Sequence, residues 1–217
     1  MRKSAVFLGV VLLLFSFVGA ASAITFTETG DAGELLSSAQ IVGPDVDTIS
    51  GSIFQIGDVD LFGLYLYGGS FSATTVGLTP IDSQLYLFDS LGFGIAGNDD
   101  AAGDGLQSTI TASLTEGYYY LGISAFNYDP LSADGYIFPD TVDYGADPVW
   151  GPTGPGGGSS LTGWAQHTTS VTLGVGDYSI ALSPPTAPVP EPATMLLVGS
   201  GLIGLAGLGR KRLFKRG

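Results

Sequence analysis

All seven Lys and Arg residues of this 217-residue chain are terminal: Arg2 and Lys3 at one end, Arg210, Lys211, Arg212, Lys215 and Arg216 at the other. Nineteen of the twenty Asp and Glu residues lie between Glu28 and Asp177, and only Glu191 lies beyond. The middle of the chain is therefore an acidic body with no covalent counter-charge, whose self-repulsion has to be softened by salt or bound cations. This partition excludes whole classes of function. Nucleic-acid and phosphate binding need Lys or Arg to replace condensed counterions, so no nucleic-acid partner is expected. With no Cys and a single His, there are no disulfides, cysteine nucleophiles or thiolate metal sites, and no multi-histidine zinc site.

The two basic ends read as address labels. Met1–Ser4 is a short basic segment, Ala5–Ala20 is an apolar run, and Ala21-Ser22-Ala23 supplies the small residues of an A-x-A cleavage site. That is the tripartite form of a secretory signal peptide over residues 1–23, handled by the Sec translocon and signal peptidase. The mature chain is expected to begin at Ile24. A Cys-free exported body must be stable by core packing alone.

At the other end, Val189-Pro190-Glu191-Pro192 leads into the uncharged run Ala193–Gly209 and then into the basic cluster. At 1.5 Å per residue, this run is about 25 Å long as a helix, slightly short of a hydrocarbon core of about 30 Å. Residues 193–209 are thus expected to form a marginal transmembrane helix, its basic tail cytoplasmic and the acidic body outside. Gly199, Gly201, Gly204 and Gly207 leave one helix face small, either for another helix or simply as part of a weak, removable span.

Motif, short Gly-rich span and Arg-rich end in that order closely resemble the PEP-CTERM sorting signal of Gram-negative bacteria, over residues 188–217. The resemblance implies recognition at Pro190, Glu191 and Pro192 by a membrane-embedded exosortase-type cysteine protease, which cleaves the tail and releases or transfers the body. It also implies a protein anchored in the inner membrane before sorting and then placed in the cell envelope or outside the cell, in association with exopolysaccharide or biofilm. Physically, two prolines hold the segment extended and deny it helix, which suits entry into a protease groove.

Between the labels, strand-like runs recur among Gly, Asp, Asn and Pro punctuation: Asp60–Tyr67, Gly69–Leu78, Ser83–Phe88, Ser108–Leu114, Tyr118–Ala125, Ser170–Val175 and Tyr178–Leu182. No body segment carries a helical period, and the fold class read here is all-β. About 165 residues, 24–187, suffice for one sandwich core. Gly57-Asp58-Val59-Asp60-Leu61-Phe62, then Asp82-Ser83-Gln84-Leu85-Tyr86-Leu87-Phe88-Asp89 with Asn98-Asp99-Asp100, then Leu114-Thr115-Glu116-Gly117-Tyr118-Tyr119-Tyr120-Leu121 resemble the bacterial pre-peptidase C-terminal domain. The resemblance implies a jelly-roll-like β-sandwich.

The chain departs from that pattern at 127–165, a Gly- and Pro-rich insertion with Tyr128, Tyr136, Phe138, Tyr144, Trp150 and Trp164. Loops of that length are usually functional or disordered. Aromatic side chains are more often buried than displayed, so these are expected to cover an open end of the sandwich. Displayed, Trp150 and Trp164 would instead stack on sugar rings or meet a partner surface.

Asp outnumbers Glu sixteen to four, and many stand in Gly-rich turns. Hard oxygen ligands at such positions suit Ca²⁺, and the candidate set is Asp58, Asp60, Asn98, Asp99, Asp100 and Asp104. The same residues also serve ordinary turn chemistry, capping backbone and tolerating unusual dihedrals. Catalysis has less support. His167 is the only imidazole and no G-x-S-x-G elbow is present. Counting acids does not remove a paired-carboxylate glycosidase, since Asp is abundant. The readings are therefore a non-catalytic exported envelope or matrix protein, a carbohydrate- or surface-binding module using the 127–165 aromatics, and a secreted hydrolase.

Overall fold

In the run Val59–Leu66, Phe62, Leu64 and Leu66 join one apolar cluster while Val59 and Leu61 join another, and all five are buried. A strand buried on both faces needs a packed layer on each side. The computed structural model, which describes residues 23–102, 106–139, 148–166 and 174–184, supplies both layers.

Along the chain the strands are β1 Thr25–Thr27, β2 Gln40–Ile41, β3 Thr48–Ile53, β4 Val59–Leu66, β5 Gly69–Thr74, β6 Ser83–Asp89, β7 Gly94–Asn98, β8 Thr109–Leu114, β9 Gly117–Ala125, β10 Tyr128–Ser132, β11 Gly135–Tyr136, β12 Leu161–Gln166 and β13 Gly176–Ser183. There is no helix among the described residues. One five-stranded sheet has the order β1-β3-β13-β5-β8 and the other β2-β4-β9-β6-β7, while β11-β10-β12 form a third, smaller sheet. Pairing is antiparallel except that β1 and β2 join their sheets parallel to β3 and β4.

The inner core lies between the two large sheets. Ile49, Ile53, Phe71, Ile110, Ile180 and Leu182 face Phe62, Leu64, Leu85, Leu87, Leu121 and Ile123, as expected of a β-sandwich. A second core lies on the far side of the second sheet. There Val59, Leu61, Tyr86 and Phe88 pack against Ile137, Phe138, Leu161 and Trp164 of the small sheet and its loops.

The described residues of segment 127–165 are thus not a loop capping an open end of the sandwich. They form a third layer on an outer face, and the reason is visible in β6 and β9. Tyr86 and Phe88 project outward beside Gly122, whose missing side chain leaves room for the Trp164 ring: a Cβ at Gly122 would come within 3.0 Å of it. Trp164 makes edge-to-face contacts with Tyr86 and Phe88, at centroid distances of 5.5 and 6.1 Å. Its indole N–H donates to the carbonyl of Glu34 at 2.8 Å, so the buried ring leaves no polar group unmet.

Trp164→Ala is expected to cost about 3–5 kcal/mol, the usual range for a buried aromatic. Leu91→Ser, at an exposed turn position, is expected to stay within about 0.5 kcal/mol. Urea unfolding of the two variants measures the difference.

Candidate functional site

Carboxylates gather at one end of the sandwich. Asp60 stands on β4 opposite Ile123 of β9, and Ser83, at the start of β6, stands opposite Ala125, so β9 sets Asp60 and the preceding Asp82 near the same end. Two clusters form there, Glu28 with Asp31 and Asp60, and Asp82 with Asp99 and Asp100; within each, one carboxylate oxygen per residue lies within 4.8 Å of the others.

The first cluster is built by three elements. β1 delivers Glu28 at its end, where Oε1 accepts the Ala32 N–H and Oε2 the Ser52 N–H, each at 2.9 Å. Asp31 follows in the exposed turn, accepting from the Gly33 N–H at 2.9 Å. Asp60 is fully buried, and its Oδ2 accepts the Tyr178 hydroxyl from β13 at 2.6 Å. Its Oδ1 is buried and has no hydrogen-bond partner. An orphaned carboxylate oxygen facing two other carboxylates is a costly arrangement unless a proton or a cation joins it. Gly51 is required beside it, because a Cβ there would collide with the Tyr178 hydroxyl and the Glu28 carboxylate.

The electrostatics follow from burial. Removal from water pushes the Asp60 carboxyl up to about 8, opposed by the Tyr178 hydrogen bond and reinforced by Glu28 and Asp58. Asp58, two residues earlier, is raised mainly by burial although its Oδ2 accepts the Phe54 N–H at 2.6 Å. Tyr178 is raised by its own burial and by the Asp60 charge.

In the second cluster Asp82 is pushed up to about 6, by burial first and then by Asp100. Asn98 organises the turn behind it, donating to the Asp100 carbonyl at 3.3 Å and accepting the Thr109 N–H at 2.7 Å.

The structure therefore joins Asp60 to Glu28 and Asp31, and Asp99 and Asp100 to Asp82. Asp58 lies beside the first group as a backbone cap, and Asn98 supports the second through backbone bonds. Asp104 lies outside the described residues, as do Ala21, His167 and the sorting residues Pro190, Glu191 and Pro192. Glu28, Asp31 and Asp82 were not legible as site residues, since they come from turns remote in sequence from their partners. Ala23, the last residue before the expected cleavage, is exposed.

Of the two tryptophans that the binding-surface alternative would display, Trp164 is buried in the outer core and unavailable to a ligand, while Trp150 is half-buried and paired through its backbone with Gly97. The displayed aromatics are elsewhere. Tyr65 and Tyr118 are exposed at 37% and 60%, with ring centroids 4.9 Å apart, and Tyr67 lies 5.6 Å from Tyr65.

Both Asp60 and Asp82 hold a proton more tightly in the folded chain than in the unfolded one, where a carboxyl titrates near about 3.9. That stability is fully present below about pH 4 and is lost as pH rises through about 6 for Asp82 and about 8 for Asp60. In chelator, the thermal midpoint is therefore expected to fall from pH 5 to pH 8.5, and Asp60→Asn is expected to flatten the upper half of that slope.

Comparison with solved structures finds similarity to the pre-peptidase C-terminal domain of a collagenase from Bacillus anthracis, at 15% identity and a TM-score of 0.32, covering 66% of this chain and 93% of that one. It also finds PliG of Aeromonas hydrophila, a periplasmic inhibitor of g-type lysozyme, at 10% identity and a TM-score of 0.28, covering 74% and 97%. No curated protein matches the chain. Residues 188–212 match the PEP-CTERM protein-sorting motif, which marks the chain as an exported protein, anchored in a membrane until an exosortase-type protease sorts it.

Proposed function

We propose that this is a non-catalytic exported protein whose β-sandwich body is delivered to the cell envelope or extracellular matrix, in association with exopolysaccharide, and binds calcium at the Glu28, Asp31 and Asp60 cluster. The sorting motif at 188–212 carries the first part of the reading. The buried, unpartnered Oδ1 of Asp60 among further carboxylates carries the second. Three carboxylates, from the end of β1, the turn after it and β4, with no nitrogen or sulfur ligand, suit a hard divalent cation such as Ca²⁺. A cation there would meet the orphaned oxygen and offset part of the repulsion among the acids.

Mass spectrometry of the protein recovered from cells tests sorting: a C-terminus near Pro190 supports it, and an intact Gly217 overturns it. Thermal unfolding tests the cation. With calcium the midpoint is expected to rise by several degrees over chelator for the natural chain and to stay level for Asp60→Asn. Equal midpoints for the natural chain remove calcium from the reading.

A second reading, surface binding to a glycan, is favoured by the exposed Tyr65 and Tyr118 pair, with half-buried Trp150 as a further contact. Glycan pulldown with Tyr118→Ala and Trp150→Ala tests it, and retention unchanged in both variants argues against it.

A further inference from the structure

The first residue after the expected cleavage site is already held by a carboxylate. The Ile24 N–H donates to Asp47 Oδ2 at 2.8 Å. The Ile24 carbonyl accepts from the Asp47 N–H at 2.8 Å and the Thr48 N–H at 3.2 Å, and the Asp47 carbonyl accepts from the Leu182 N–H at 2.8 Å. Asp47 thus binds the start of the body and the end of β13 together. The start and the end of the described body meet here: Ile24, and Leu182 near the end of β13, the strand before the sorting motif at 188–212.

We propose that cleavage after Ala23 converts the Ile24 amide into an α-ammonium that Asp47 binds as an ion pair, fastening β1 to the sandwich at the end facing the membrane. The inference rests on reading residues 1–23 as a signal peptide. The chemistry is a hydrolysis: water adds across the Ala23–Ile24 peptide bond, the C–N bond breaks, Ala23 leaves as a carboxylate and the freed amine takes up a proton. An α-amine titrates near about 7.7–8.0, so it is largely charged at neutral pH. The donor atom is the one that bonds Asp47 now, and ionisation makes that bond charge-assisted.

Composition makes this ammonium singular. No Lys or Arg stands between Ser4 and Gly209, so it becomes the one amine of the body, beside nineteen acids between Glu28 and Asp177. Its anchoring has a reach. β1 is only three residues long, and Glu28 follows it directly, so the pair at Asp47 holds one end of the strand whose other end supplies the carboxylate cluster.

The absence of body lysines also supplies the test. Protein recovered from producing cells is sequenced from its N-terminus, then trace-acetylated at pH 7.5 in the folded state, and acetylation of the N-terminal peptide is followed by mass spectrometry. The expected result is an Ile24 start and an α-amine that reacts about two- to fivefold faster in Asp47→Asn than in the natural chain, the range set by an exposed ion pair. Asp45→Asn, two residues away, should leave the rate unchanged. Inserting one Ala after Ala23 keeps Asp47 but displaces the amine, and should react as fast as Asp47→Asn, which covers the case of that variant failing to fold. An Ile24 start with equal rates in all chains overturns the ion pair alone. A start at any other residue overturns the ion pair together with the signal-peptide reading.

Discussion

No carboxylate in the body can be met by a Lys or Arg side chain, because none lies between Ser4 and Gly209. The fold answers by placing acids where turns leave backbone N–H groups unpaired. Asp89 accepts from Leu91 and Phe93, Asp58 from Phe54, Asp31 from Gly33, and Glu28 from Ala32 and Ser52. Two others take hydroxyls, as Asp60 takes Tyr178 and Asp129 takes Tyr86. An acid-only composition is thus a constraint on backbone geometry: the chain turns where its carboxylates can be solvated by amides. The constraint is incomplete at Asp60 and Asp82, where one oxygen each stays buried without a hydrogen bond, and burial pushes both carboxyls up.

The molecule is also directional. β1 runs parallel to β3 from Ile24 beside Asp47 to Glu28 beside Ser50. The end of β13, which leads on to the sorting motif, therefore lies at the end where β1 starts, and the Asp60 cluster lies toward the other. A body anchored through its C-terminal end would hold its carboxylate clusters away from the bilayer, clear of anionic lipid.

Much of this was legible in the sequence, and the failures have physical causes. Runs with dense β-branched and aromatic residues were read correctly, including Ser83–Phe88, Tyr118–Ala125 and Tyr178–Leu182, found as β6, β9 and β13. Gly69–Leu78 was read too long: the chain turns after Thr74, with Leu78 N–H bonding back to the Thr75 carbonyl and Gly77 at φ +72°. β3 and β7, Thr-Ile-Ser-Gly-Ser-Ile and Gly-Ile-Ala-Gly-Asn, carry too few large side chains to announce themselves, because neighbouring strands fill their share of the core. β10 and β12 were hidden by Pro130 and Gly163, and their strand character comes from pairing with each other. Ser170–Val175 falls mostly outside the described residues. For the site, Asp60, Asp99 and Asp100 could be nominated from local spacing, whereas Glu28, Asp31 and Asp82 depend on the register of β1, β4 and β6.

The strands of the third layer, β10, β11 and β12, all come from the chain between β9 and β13. Its apolar face rests on Val59, Leu61, Tyr86 and Phe88, side chains whose strands are fixed from behind by the inner core. The dependence between layers is therefore one-way. Melting the small sheet would leave the ladders of both large sheets intact, while loosening β4, β6 or β9 removes the floor on which it stands. The protein should come apart from the outside inward, as a hierarchy of two cooperative units sharing a single sheet.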